Sequence, residues 1–68
     1  MRINRVKFVA ELTRQDMTQS KLSELSGVSR ATINFIKNGK SCSIQTGQKI
    51  AKALNVPVES LIDMEDNN

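Results

Sequence analysis

The sequence predicts an all-α fold, a compact bundle of five short helices, and three observations predict it. Apolar residues recur three and four apart along most of the chain, the spacing that lines one face of a helix. Strictly alternating β-branched runs are missing and the aromatics are only Phe8 and Phe35, so the usual material of strands is scarce. Residues that start and stop helices separate the apolar stretches, with Thr18, Ser29 and Ser43 as starts and Gly27, Asn38-Gly39 and Pro57 as breaks.

Each element follows from that punctuation. The first helix, about residues 3–15, is expected to place Val6, Val9 and Leu12 on its inner stripe, with Phe8 beside it. Met17 is read as core. Thr18 caps the second helix, whose buried side carries Leu22 and Leu25; Lys21 stands where a reciprocal cap would need Glu or Gln, so Thr18 caps alone. Gly27 suits the left-handed conformation of a tight turn, and Val28 points inward from it. Ser29 opens a third helix over 30–37, stopped by Asn38-Gly39. Ser43 opens a fourth, about 44–54, with Ile44, Ile50, Ala51 and Leu54 inside and Gly47 on the same stripe, where a neighbouring helix is expected to approach. Pro57 suits the first turn of a fifth helix carrying Val58, Leu61 and Ile62. Residues 1–63 form one domain, and 64–68 a polar tail.

Composition narrows the function. A chain of 68 residues lies near the lower size limit for folding without a staple. Cys42 is the single cysteine and His is absent, which excludes an internal disulfide and leaves too few ligands for a structural zinc site. No cofactor is expected. No apolar run approaches the roughly 20 residues of a membrane span, and MRINRVKFVAEL is too interrupted by charge for an export signal. A cytoplasmic protein with no membrane partner is expected. Without His, a carboxylate pair or a phosphate-cradling glycine loop, no acid–base constellation can be assembled, so an enzyme is not expected.

Charge is unevenly placed. Residues 1–56 hold all ten Lys and Arg against Glu11, Asp16 and Glu24, a net +7, whereas 57–68 hold four acids and no base, a net −4. A basic body suits a polyanion, because Lys and Arg displace condensed counterions from phosphates. A merely solvated basic face is the plain alternative.

Two short helices joined through Leu-Ser-Gly-Val-Ser form the informative unit. A glycine turn between helices of about eight residues is the helix-turn-helix arrangement, whose second helix projects into a DNA major groove. On that helix Ile33 and Ile36 set the buried direction. At about 100° per residue, Ala31, Asn34, Phe35 and Asn38 fall opposite, and Arg30 projects from the N-terminus. Arg can bond guanine bidentately, Asn adenine, and Ala or Phe can touch a thymine methyl.

The stretch MTQSKLSELSGVSRATINFIKNGK resembles the helix-turn-helix of the phage repressor and Cro family, called the Xre family in bacteria, and GQKIAKALNVPVESLI resembles its fourth and fifth helices. The resemblance covers about residues 6–62 and implies a lambda-repressor-like fold. It implies that Gln19 bonds a phosphate or base, that Arg30, Ala31, Asn34 and Phe35 read bases, with Thr32 beside them, and that Asn38, Lys40 and Ser41 hold phosphates. Two departures stand out. Ser23 replaces the usual Ala, so its hydroxyl needs a partner, and Lys37 stands where Glu is common, which strengthens attraction to phosphate. Phe35 keeps three readings: contact with DNA, cover for a dimer partner, or folding back on the first helix. Lys37, Lys40 and Lys49 each have a plain reading as solvated charge, and Cys42 as a small loop residue.

The expected function is a sequence-specific transcriptional regulator, a repressor on a two-fold double-stranded operator. One helix reads only a few base pairs, so a homodimer is expected, with Val58, Leu61 and Ile62 as its surface. The alternative is a protein-interaction module, such as an antitoxin, using an apolar patch and not requiring Arg30.

Overall fold

Four side-chain oxygens start the four helices of the structure, a computed structural model that describes residues 1–63. Asn4, Thr18, Ser29 and Ser43 each accept the backbone N–H three residues on, at 3.0–3.2 Å, satisfying donors that a helix start leaves unpaired. The helices are α1 (Arg5–Arg14), α2 (Gln19–Ser26), α3 (Arg30–Lys37) and α4 (Ile44–Leu54). The expected fifth helix is a single 3-10 turn, Val58–Leu61, begun by Pro57. Among the described residues there is no strand, only an isolated antiparallel bridge between Ile3 and Ile62. The polar tail predicted at 64–68 lies outside the described residues.

The helices end on left-handed residues. Asp16 (φ 53°), Gly39 (φ 89°) and Asn55 (φ 59°) follow α1, α3 and α4. Behind them, Met17, Lys40 and Val56 donate their N–H groups to Leu12, Phe35 and Ala51 at 2.9–3.0 Å. Each closes its last turn in the Schellman manner. Gly27 (φ 76°) ends α2.

α2 packs against α3 and α4, α1 packs against α3 and the 3-10 turn, and α4 also packs on that turn. Between them lies a core of Ile3, Phe8, Leu12, Leu22, Val28, Ile33, Ile36, Ile50, Ala51, Leu54 and Leu61. Several sequence expectations change here. α1 buries Phe8 and Leu12 and turns Val6 (71% exposed) and Val9 (38%) outward, because the helix rolls to seat the larger ring in the core. Leu25 and Ile44, expected inside, are more than half exposed; each sits at a helix end, past the edge of the packed face. Gly47 is buried, but it faces the Met1 thioether and not a helix, for an added Cβ there would run into Met1 Sδ.

The two ends of the described chain are joined. Asn4 N–H donates to the Leu61 carbonyl at 2.8 Å, and the Asn4 amide donates to both Asp63 carboxylate oxygens at 2.9 and 3.2 Å. Lys7 Nζ donates to the Ile62 carbonyl at 2.9 Å. On the other side, Cys42 N–H donates to the Met1 carbonyl at 2.8 Å. A second tie holds α1 to α4: Gln15 Nε2 donates to Glu11 Oε2 at 2.6 Å and to the Leu54 carbonyl at 2.7 Å. Arg14 also donates to Glu11. These bonds from Arg14 and then Gln15 hold the Glu11 carboxyl below its ordinary pKa.

Candidate nucleic-acid interface

The turn between α2 and α3 fixes how α3 stands on the body. Gly27 supplies the left-handed residue, and Val28, only 7% exposed, enters the core directly after it. Val28 N–H is accepted by Ser26 Oγ at 3.1 Å, and the Val28 carbonyl accepts from Ser23 Oγ at 2.6 Å. Both polar groups of a buried turn residue are thereby satisfied, and Ser23 has the partner its hydroxyl requires.

α3 is two-sided. Ile33 and Ile36 are fully buried, whereas Arg30, Ala31, Asn34, Phe35, Lys37 and Asn38 are exposed. The expected phase is the observed one, and Phe35 turns outward with about half its surface in water. Thr32 lies at the edge, half-buried, its hydroxyl accepting from Ser29 Oγ at 3.0 Å, so it is engaged in the helix start.

The remaining sequence-predicted residues gather around α3. Lys40 and Ser41 are exposed in the segment after Gly39. Gln19, half-buried at the start of α2, lines a cleft of about 390 Å³ with Thr18, Met17 and Lys37. Fold geometry thus joins the start of α2 to the end of α3, as neither helix alone reveals. Lys49 is set apart, in a cleft with Leu25, Ser26 and Lys52 between α2 and α4.

Arg5 was not among the sequence candidates. Its Cδ lies 3.8 Å from the position of a Cβ on Gly39, so the first turn of α1 stands against the Asn38-Gly39-Lys40 segment. Its distance along the chain left no local signal for this neighbour; only the packing of α1 on α3 supplies it.

Charge on this side is uncompensated. Ion pairs among the described residues join Lys7 to Asp63, Arg14 to Glu11 and Lys21 to Glu24. Arg5, Arg30, Lys37 and Lys40 have no carboxylate within 4.0 Å among the described residues, and the same holds for Arg2, Lys49 and Lys52 elsewhere. What sets this side apart is its cations beside the exposed face of α3. Such an edge attracts phosphate oxygens. Among the described residues no three His, Cys, Asp or Glu side chains gather to hold a metal, and no helix is long and apolar enough to cross a membrane. Burial pushes the Cys42 thiol up, away from the reactive thiolate.

Comparison with known proteins agrees with this geometry. A family model described as helix-turn-helix matches residues 10–61. No curated protein matches the chain. Among solved structures, native PhpD with cadmium atoms is similar with a TM-score of 0.80 at 19% identity, and PhpD with cadmium complexed with hydroethylphosphonate gives the same values. All of this chain is covered in each case, but it spans only 15% of the length of those chains. At that identity the likeness concerns the fold alone.

Proposed function

Because the chain belongs to the Cro/C1-type, or Xre, family of helix-turn-helix DNA-binding regulators, we propose that it represses transcription by binding a specific two-fold operator as a homodimer. One observation carries this reading: α3 buries Ile33 and Ile36 and leaves Arg30, Ala31, Asn34 and Phe35 together on the outside. These four are a guanine donor, a methyl contact, an adenine partner and a second apolar contact, a set able to read several base pairs. Thr32 lies at the margin of that surface. Gln19, Lys37, Asn38, Lys40 and Ser41 hold phosphates on either side and fix the register of α3 in the groove.

The dimer surface is drawn differently from the sequence expectation. Leu61 is 1% exposed and belongs to the core, so it has nothing to offer a partner. Ile44, 61% exposed, shares a cleft with Met1 and the half-buried Ile62, and we assign the contact between copies there.

Selection of bound sites from a random DNA pool tests the proposal. An inverted repeat with half-sites about one helical turn apart is expected. Affinity should fall with salt at a slope corresponding to about five to eight neutralised phosphates per dimer. A flat salt response or an unenriched pool overturns DNA reading, and enrichment of a single half-site overturns the homodimer.

A further inference from the structure

Helix α1 turns an apolar strip away from the core. Val6, Val9 and Ala10 are exposed along it and, with Arg5, Lys37 and Asn38, line a groove of about 590 Å³. This is larger than the clefts at Gln19 and at Ile44. Local preference does not explain the strip's two valines. On a solvated helix face β-branched residues are poorer helix formers than Lys, Glu or Ala, and Val6 is 71% exposed. Single exposed apolar residues are commonplace, but these three adjoin and carry cations at their rim.

The rim selects the occupant. Arg5 and Lys37 have no carboxylate within 4.0 Å among the described residues, so the groove asks for aliphatic groups flanked by negative charge. DNA offers phosphates to the rim but, outside its major groove, only the narrow C–H edges of its sugars to the floor, too little to fill a groove of this size. A second copy would bring the same cations face to face across a two-fold axis, which is repulsive. We propose that this groove docks an acidic amphipathic helix of another protein, its aliphatic side chains on Val6, Val9 and Ala10 and its carboxylates on Arg5 and Lys37. Lys37 and Asn38 also belong to the proposed phosphate edge, so the docked helix and DNA exclude one another. That competition rests on the DNA-binding reading; the docking itself does not.

The test uses the full chain with labelled methyl groups, observed by NMR. The probe is a synthetic amphipathic peptide with Leu at i, i+3, i+4 and i+7 and Glu beside each; the control peptide carries Lys in place of Glu. The acidic peptide should shift the Val6 and Val9 methyls, and the Lys peptide should not. Val6→Glu and Lys37→Glu, both at exposed positions, should each weaken the acidic peptide about tenfold, and mixed-sequence duplex DNA should displace it. Equal binding of both peptides, or shifts confined to the Leu25 and Lys52 face, overturns the docking. So do Val6 and Val9 shifts that appear with protein concentration alone, which mark a second copy. A peptide that docks on a chain binding no DNA upholds the surface and overturns the DNA reading; DNA binding without peptide binding overturns the surface only.

Discussion

Ser23 Oγ donates a 2.6 Å hydrogen bond to the carbonyl of Val28, so the last turns of α2 hold the residue that sets the angle of α3. Ser23→Ala removes that donor and leaves a partly buried carbonyl unpaired. A loss of about 1 kcal/mol is expected, which lowers the melting temperature of a domain this size by roughly 4–8 °C. An unchanged thermal transition would mean that water replaces the hydroxyl at no cost.

Gly27 and Asp16 occupy the same left-handed region with opposite fitness for it. An added Cβ at Gly27 meets nothing within 4 Å, so a side chain there is opposed by the backbone and not by crowding. Gly27→Val should destabilise by roughly 1 kcal/mol or more, and Gly27→Asn by less, because Asn tolerates positive φ. Asp16 (φ 53°) is a non-glycine residue in that region. Asp16→Gly relieves the backbone but frees the unfolded chain, so the two effects nearly offset and stability should change by less than about 0.5 kcal/mol. Denaturant midpoints at unchanged slope measure all three. Equal losses from Val and Asn would refute backbone strain as the cause.

Glu11 makes the joint between α1 and α4 sensitive to acid. Its carboxyl is held below the ordinary pKa by Arg14 and then by Gln15. The stabilisation is therefore fully present above the ordinary carboxylate pKa, and it is lost as the pH falls through the lowered folded value. Glu11→Gln should flatten the acid side of the stability profile while leaving the neutral-to-alkaline side parallel to the native one. Chemical denaturation at a series of pH values gives the comparison; an unchanged acid limb would assign the acid sensitivity to other carboxylates.

What was legible in the sequence was local. Thr18, Ser29 and Ser43 cap where they were expected because each needs only a backbone N–H three residues on. The phase of α3 was legible because Ile33 and Ile36 leave one choice of buried side. On α1 the spacing placed Val6 and Val9 on the inner stripe with Leu12 and left Phe8 beside it. Leu12 lies within about one helical turn of both Val9 and Phe8, so periodicity alone cannot choose, and the volume of Phe8 in the assembled core decides. Asp16 and Asn55 carried a readable signal, an Asx residue after the last turn, that the more obvious glycines obscured. The Met1 side chain at Gly47 and Arg5 beside Gly39 join residues far apart in the chain, so no local pattern announces them. For the same reason the cleft joining Gln19 to Lys37 emerges only from the fold.

Arg30 and Lys40 are both exposed, yet they should behave differently on DNA. Arg30→Ala is expected to cost about 1–3 kcal/mol at one operator position and to relax preference there, while Lys40→Ala should weaken every sequence about equally and lower the salt slope by about one. Binding to a panel of single-base operator variants separates the two outcomes. Uniform loss from both substitutions would reduce Arg30 to a phosphate contact.

Phe35 is 53% exposed on α3, between the positions of Asn34 and the buried Ile36, and does not fold back into the core beneath α1. A ring left in water at that position gains from any surface that covers it, and a thymine C5-methyl is among the few features of DNA that an apolar side chain reads. The ring is therefore expected to pack on such a methyl in the major groove. Replacing single operator thymines by uracil deletes only the methyl. One position in each half-site should then lose about 1 kcal/mol with the native protein and nothing with Phe35→Ala, the signature of a coupled pair. Phe35→Ala should leave the melting temperature nearly unchanged, because the side chain is not part of the core. If no thymine shows the coupling and Phe35→Ala instead weakens self-association, the ring belongs between protein copies, and the assignment of the dimer contact to Ile44 and Ile62 fails with it.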